Sequence, residues 1–364
     1  MANPYFSALF YRLSLLSALF SLNTIKRESN PARKIMNNTT AQEMLANLRA
    51  TVLPTYIFTG IFAIGFIGNF LVCLTIFRIN QYHTSTYILI ASMAVSDAFG
   101  CLFLIIYTVI SIYLLRPNDL SLSTKEILCD FLGVCSYSSY FTSTHTLTMI
   151  SIDRYYAFVK APFKPLLRNP WRIKLAVVLT WVFGFLVALP IIPAGGIDPN
   201  YPFICDSTHA SLLHNQIYFM LILVIEEIIP AVIIVYAYVC VIKALNRSSF
   251  SIKGNVVNNL KNLQKRKSAI RKIVIVTAVF LVLTAILHIT RLAVALTNAT
   301  VANLFIANET ILGMITNICY GIAFLQPVVN PIIFCVMSKS FRKSIVNSSL
   351  KRSRSQTIGV TFAP

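Results

Sequence analysis

Seven runs of apolar residues, each long enough to cross the ~30 Å hydrocarbon core of a bilayer as a helix, follow one another through this chain. They are Leu53–Phe77, Thr86–Leu115, Glu126–Lys160, Ile173–Ile192, Ile217–Leu245, Arg271–Thr297 and Ile311–Met337, the third and sixth overrunning the bilayer at one end. A backbone in lipid must satisfy its own hydrogen bonds, and these runs are far longer than barrel strands. The expected fold is therefore an all-α membrane protein, a bundle of seven transmembrane helices. Composition agrees: 56% of residues are hydrophobic and 12% charged, against about 25% charged in a soluble domain.

The net charge of +19 would suit a nucleic-acid partner if it covered a soluble face. Instead 22 of the 31 Lys and Arg residues fall in or beside the first, third and fifth gaps and in the C-terminal tail. The even gaps hold only Arg116, Lys125 and Arg291, and six more basic residues lie in the N-terminal segment. Basic residues mark the cytoplasmic side, so nucleic acid is excluded as a partner. The chain is expected to be a multi-pass plasma-membrane protein with its N-terminus outside and its C-terminus in the cytoplasm. Glycosylation acceptors at Asn37, Asn38, Asn298 and Asn308 all fall on that outer side. The similar patterns at Asn246 and Asn347 fall inside and are chance matches.

Three parts are expected: an extracellular segment 1–52, a helical domain 53–337 and a cytoplasmic tail 338–364. Within the first, Tyr5–Leu22 is apolar with one Arg, and Lys26-Arg27 trails it. Residues 1–35 read either as a signal-like segment or as lying upstream of a true start at Met36, in preference to an eighth span.

Six of the eight cysteines lie inside apolar runs, where a thiol behaves as a small hydrophobe. Cys129, at the outer start of the third run, and Cys205, in the loop between the fourth and fifth, are the two on the oxidising side. A disulfide between them is expected, tying the loop 194–216 over the outer mouth.

Every run but the sixth carries a distinctive residue pattern: Gly68-Asn69, then Ala94-Val95-Ser96-Asp97, then Cys129 with Asp153-Arg154-Tyr155. Trp181 and Pro190 follow in the fourth, Pro230 and Tyr238 in the fifth, and Asn330-Pro331-Ile332-Ile333-Phe334 in the seventh. Ser340-Phe341-Arg342-Lys343 comes after it, with the look of a short amphipathic surface helix. In joint order and spacing, from about Leu53 to Val346, the chain resembles the rhodopsin-like (class A) G-protein-coupled receptors.

That resemblance implies a receptor that binds an extracellular ligand and activates heterotrimeric G proteins, and not an enzyme. It implies a switch made of Asp153, Arg154, Tyr155, Tyr238, Asn330, Pro331 and Phe334. There the resting-state acid holds the Arg, and activation swings the Arg towards Tyr238 and the G protein. It also implies a resting-state sodium site on Asp97, Ser143 and Asn330. Read as residues alone, Asp97 is a mid-membrane carboxyl that hydrogen bonds to Asn69 and Asn330 would equally satisfy. The prolines 230, 327 and 331 each remove a backbone hydrogen bond and bend their helices.

Two positions depart from the family pattern. In the sixth run Phe280 is present, but Thr284 and Ile286 stand where the family carries Trp and Pro. The kink of that helix is thus in doubt, and Thr284 bonding back to a carbonyl one turn earlier is a weaker device for bending. In the seventh run Phe334 replaces a Tyr and loses its hydroxyl. Both touch activation and leave the fold alone.

Ser136 stands where amine receptors place an Asp, which argues against an ordinary monoamine, and Phe324 stands where opsins carry the retinal Lys. No cofactor beyond the allosteric sodium ion is expected. The ligand, with a peptide favoured over a small molecule, is expected among Ser136, Tyr137, Tyr140, Glu226, His288, Arg291 and Tyr320. Glu226 reads either as the acid for a basic ligand group or, with Glu227, as an internal partner of His288 or Arg291. Basic inner loops would meet the lipid membrane and the G protein, and tail residues Ser348, Ser349, Ser353, Ser355 and Thr357 offer sites for a receptor kinase and arrestin. The rival readings are a transporter or channel, for which neither inverted repeats nor interrupted midplane helices appear, and a receptor-like protein with altered or lost signalling.

Overall fold

The computed structural model describes residues 38–78, 84–114, 120–160, 166–167, 169–193, 195–197, 205–206, 211–250, 256–296 and 311–337. The chain divides into two units, residues 1–61 and 62–364. In the first, the described residues are helical from Asn38 onward. The second holds the packed helices.

Helix α1 covers Asn38–Arg78, α2 Ser85–Leu114 and α3 Leu122–Tyr155, the last continuing as a wide π turn over Tyr156–Lys160. Helix α4 covers Pro170–Ala188 and tightens into a 3₁₀ turn at Leu189–Ile191. A two-stranded antiparallel hairpin follows, β1 Gly196–Ile197 and β2 Cys205–Asp206, with Ile197 opposite Cys205. The fifth span is α5 (Leu212–Ile222), a π segment (Leu223–Ile228) and α6 (Ile229–Phe250). The sixth is one helix, α7 (Val256–Leu296), and the seventh is α8 (Ile311–Ala323) followed by α9 (Gln326–Met337). These are the seven expected spans.

Two boundaries differ from expectation. The first helix begins at Asn38, not Leu53, and the sixth at Val256, not Arg271. Much of 246–267, expected as a polar loop, is thus helical. Between Val256 and Ile270 there is neither Pro nor Gly, and Leu and Lys recur beside Gln264 and Arg266; these propagate helix well outside lipid. Asn37, Asn298, Asn308, the loop 198–204 and the stretch 340–343 lie outside the described residues.

Five helical stretches are long and apolar enough to cross a membrane: Tyr56–Arg78, Ser85–Ile110, Pro170–Ile191, Leu212–Arg247 and Ile273–Leu296. The third helix falls short for a reason that fits its place. Nine of its fourteen buried residues are Ser, Thr or Asp, and it packs against α2, α4, α6 and the π segment of span five. From Leu132 to Tyr155 protein, not lipid, surrounds it. Its hydroxyls are mostly satisfied on its own backbone: Ser139 donates to the Cys135 carbonyl at 2.8 Å, Thr148 to Thr144 at 3.0 Å and Ser151 to Thr148 at 2.7 Å. Such short side chains let neighbouring helices approach.

Helix starts are written locally. Ser121 accepts from the Thr124 N–H at 3.2 Å and opens α3; Asn169 accepts from Trp171 at 2.9 Å, with Pro170 in the first turn of α4. Pro230 has no N–H to offer the Glu226 carbonyl, and the backbone ahead of it widens into the π segment, a common accommodation. The seventh span breaks for a similar reason. Around Phe324-Leu325 the chain makes tighter bonds, Leu325 N–H to the Ile322 carbonyl at 3.1 Å and Val328 to Leu325 at 3.0 Å. Pro331 cannot donate to the carbonyl of Pro327, and Asn69 from α1 supplies the missing donor at 2.7 Å. Gly68 permits that approach, since a Cβ there would lie 2.9 Å from the Pro331 ring.

Glycine also sets the crossing of α3 and α4. A Cβ on Gly184 would overlap the Thr142 hydroxyl and lie 2.9 Å from the Ser138 carbonyl. Trp181 on α4 donates to the Ser92 hydroxyl at 3.3 Å. The disulfide Cys129–Cys205 is present, with Cα atoms 5.5 Å apart, and pins the β hairpin to the start of α3.

The Gly184 contact yields a stability prediction. Gly184→Ala should lower the melting temperature of the purified protein, at a cost of about 1–3 kcal/mol from overpacking. Gly133→Ala, whose Cβ would meet nothing within 4 Å, should leave it unchanged or slightly raised. Thermal unfolding of both variants in detergent checks the pair.

Candidate functional site

Three polar clusters are stacked along α3, at its Arg154 end, its middle and its disulfide end. At the first, Asp153 and Arg154 form an ion pair, Arg154 Nη2 to Asp153 Oδ2 at 2.6 Å, with the Asp153 side chain fully buried. The other oxygen, Oδ1, accepts from the Leu167 backbone N–H at 3.1 Å, which fixes the turn after α3. The same Arg154 nitrogen also donates to the Thr86 hydroxyl in the first turn of α2. Arg154 is thus held from two helices. Thr86 was not among the residues singled out from sequence; its only signal is a position at the start of the second run. Among the described residues no carboxylate of the sixth span pairs with Arg154.

Tyr155 turns away from this pair and meets the rings of Tyr156 and Tyr236 at 5.8 and 5.9 Å. Tyr238 is buried, its hydroxyl without a hydrogen-bond partner. Phe334 belongs to α9, and its side chain lies outside the described residues.

The middle cluster joins three spans through one carboxyl. Asp97 on α2 accepts from Ser143 on α3 through Oδ1 and from Asn330 on α9 through Oδ2, the latter at 2.7 Å. Ser96 extends it with a 2.9 Å contact to the Ser143 hydroxyl. Buried Gln326 is a further neighbour of the carboxyl. Asn69 takes no part; its amide goes to the carbonyls of Pro327 and Gly65. The buried Pro327 carbonyl, left without its helical donor by Pro331, takes that amide instead.

The largest group begins at His145, two residues past Ser143 on the Arg154 side, and runs back along the helix through Tyr140 and Tyr137 towards the disulfide end. Glu226, in the π segment, is fully buried and pairs with His145 of α3 at 2.9 Å. It meets neither His288 nor Arg291, the two internal partners that the sequence offered. The His145 ring in turn sits edge-on to Phe183 of α4, centroids 4.6 Å apart. A lone His within a Ser/Thr-rich run gives no sequence sign of such a partner. Glu227 is also buried and faces the Thr284 hydroxyl. Thr284 bonds back to the Leu281 carbonyl at 3.0 Å, and α7 continues through this position as α-helix without a break.

Tyr140 and His288 meet edge to face at 5.7 Å, and His288 lies 6.5 Å from Phe141. One turn further along α7, the Arg291 guanidinium sits over the Tyr137 ring at 4.3 Å, with Tyr320 at 5.5 Å and Phe219 at 6.0 Å. Ser136 is half-buried beside Tyr137. Tyr218 points elsewhere, donating to the Val187 carbonyl of α4 at 3.3 Å. Of the residues expected around a ligand, Tyr137, Tyr140, His288, Arg291 and Tyr320 come together, while Glu226 lies to one side against His145.

Comparison with known proteins accords with this geometry. The family model described as 7 transmembrane receptor (rhodopsin family) matches residues 68–334. The chain is 24% identical over 304 residues to the pyroglutamylated RF-amide peptide receptor of Rattus norvegicus, covering 79% of this chain and 67% of that relative. The corresponding receptor of Mus musculus matches with the same identity and coverage. With its carboxyl-centred middle cluster, its held Arg154 and a family match across most of its length, this chain belongs to the rhodopsin family of seven-transmembrane receptors.

Proposed function

We propose that this protein is a plasma-membrane receptor that binds an extracellular peptide and promotes nucleotide exchange on a heterotrimeric G protein. Its N-terminal segment, residues 1–52, faces outside and its tail, 338–364, faces the cytosol, on the strength of the basic residues gathered in alternate gaps. The peptide class is favoured by the relatives, which are named as peptide receptors. The ligand lies among Ser136, Tyr137, Tyr140, His288, Arg291 and Tyr320, and Glu226 acts from behind by holding the third span to the fifth through His145. The tail serines serve a receptor kinase and arrestin. Binding and conformational change, not catalysis, are its chemistry.

The observation that carries the signalling reading is Arg154, a cation anchored by Asp153 and Thr86 from two different helices. A charge held by a neighbour and a hydroxyl is a two-state element: its release needs only that these bonds be exchanged for others. Buried Tyr238, with its hydroxyl unspent, is the partner waiting on the other side.

The middle cluster fits a sodium ion. Asp97, Ser143 and Asn330 would hold it, with Ser96 and Gln326 adjacent; their oxygens are hard donors of the kind that small cations take. A bound cation would supply positive charge to a carboxyl that now rests on neutral donors. The residues themselves join the second, third and seventh spans.

Two outcomes check this reading. In a panel of G-protein sensors challenged with a peptide library, Arg154→Ala should abolish the response at unchanged surface level. Thr86→Val should raise agonist-free signalling about tenfold, the loss of one charge-assisted hydrogen bond of about 1.5 kcal/mol; equal basal signals in Thr86→Val and the parent would refute the Thr86 anchor. Separately, replacing potassium by sodium at constant ionic strength should raise the melting temperature of the parent protein and not of Asp97→Asn.

A further inference from the structure

Among the described residues Arg291 is a cation without an anion. Its Nε is shut off from solvent with no hydrogen-bond partner, and its recorded neighbours are the faces of Tyr137, Phe219 and Tyr320. Among the described residues no carboxylate pairs with it. On the facing span one oxygen of Glu226 is taken by His145, the Oε2 atoms of Glu226 and Glu227 have no hydrogen-bond partner, and neither acid forms an ion pair with Arg291. Ring faces attract a guanidinium, but they accept none of its N–H bonds in the plane of the fork.

The groups around Arg291 are unspent in the same sense. Both ring nitrogens of His288, one turn away, and the Tyr140 hydroxyl lack partners. One nitrogen of a neutral His288 and the Tyr140 hydroxyl can donate, and Arg can do nothing else. Three unspent donor groups from α3 and α7, walled by aromatic rings, describe a receptor for an acceptor. A planar anion suits the guanidinium fork best, because two parallel N–H bonds reach its two oxygens.

We propose that Arg291, with His288 and Tyr140, binds a carboxylate carried by the ligand next to an aromatic or apolar group, such as the free C-terminus of a peptide. This rests on the receptor reading above and assigns the ligand's charge, which is opposite in sign to the basic group that Glu226 alone would suggest. Tyr137 and Tyr320 flank the guanidinium and seat the neighbouring apolar part of the ligand.

The test is a thermal-shift titration of the purified full-length receptor with matched pairs of N-acetylated aromatic amino acids and short peptides, each as C-terminal acid and C-terminal amide. At about ten times the dissociation constant of the acid form, the melting temperature should rise by about 2–4 °C. The amide should give at most a small fraction of that. Arg291→Gln should erase the acid's advantage, and Arg291→Lys, which keeps the charge without the fork, should reduce it. Equal shifts for acid and amide, no shift with either, or an acid preference that survives Arg291→Gln would each overturn the proposal. The acid–amide comparison on the parent protein decides even if Arg291→Gln fails to fold. Because the assay reads binding alone, Arg154-dependent coupling with no acid preference would refute the carboxylate site and leave the receptor reading standing. An acid preference without coupling would do the reverse.

Discussion

A hydroxyl in the middle of a membrane must find an acceptor, and along the third span most do so one turn back on their own helix. This is the condition under which a helix as polar as Leu122–Tyr155 can occupy the centre of a bundle. The side chains are short, so the surrounding helices come close; the hydroxyls are internally bonded, so the closeness costs little desolvation. Thr142 illustrates the exchange. Its hydroxyl has no hydrogen-bond partner, but it occupies the space that a side chain on Gly184 would need, and packing replaces the bond. All three polar clusters are then hung on this one helix through Arg154, Ser143 and His145.

The clusters differ in what their bonds commit. At Asp97 both oxygens are taken by neutral donors from two other spans, so the carboxyl works as a tie. At Asp153 one oxygen goes to a backbone N–H and the other to a side chain that can leave; half of the acid is structure and half is latch. Glu226 is divided again, one oxygen on His145 and the other without a partner. Buried ion pairs often contribute little net stability, and breaking one by removing a partner leaves an uncompensated charge. Their value here is positional.

The spans were legible because lipid imposes a length and a composition that few other environments do. The third was legible by length and by its markers, less by hydropathy, since protein had replaced lipid around it. The Asp97 cluster followed from residues that have no other reason to lie at such depth. What the sequence could not show was pairing between residues of unremarkable identity. His145 is one histidine among hydroxyls, Thr86 one threonine at a helix start, and each acquires its role from a partner 81 or 68 positions away. Helix ends were the other blind spot: lipid sets where an apolar run stops, but helix propensity carried α1 and α7 further.

The unbroken sixth helix has a mechanical consequence. A helix with a proline hinge can bend while its far end stays in place, whereas a continuous one transmits rotation along its whole length. From Phe280, buried in the core, to Val256 at the start of α7 is about 36 Å at the helical rise, so a tilt of about 10° about Phe280 carries that end roughly 6 Å sideways. Ile286, standing where the family carries Pro, thus leaves a lever in place of a jointed element, and its stiffness, more than any local kink, sets how far a tilt about Phe280 is amplified.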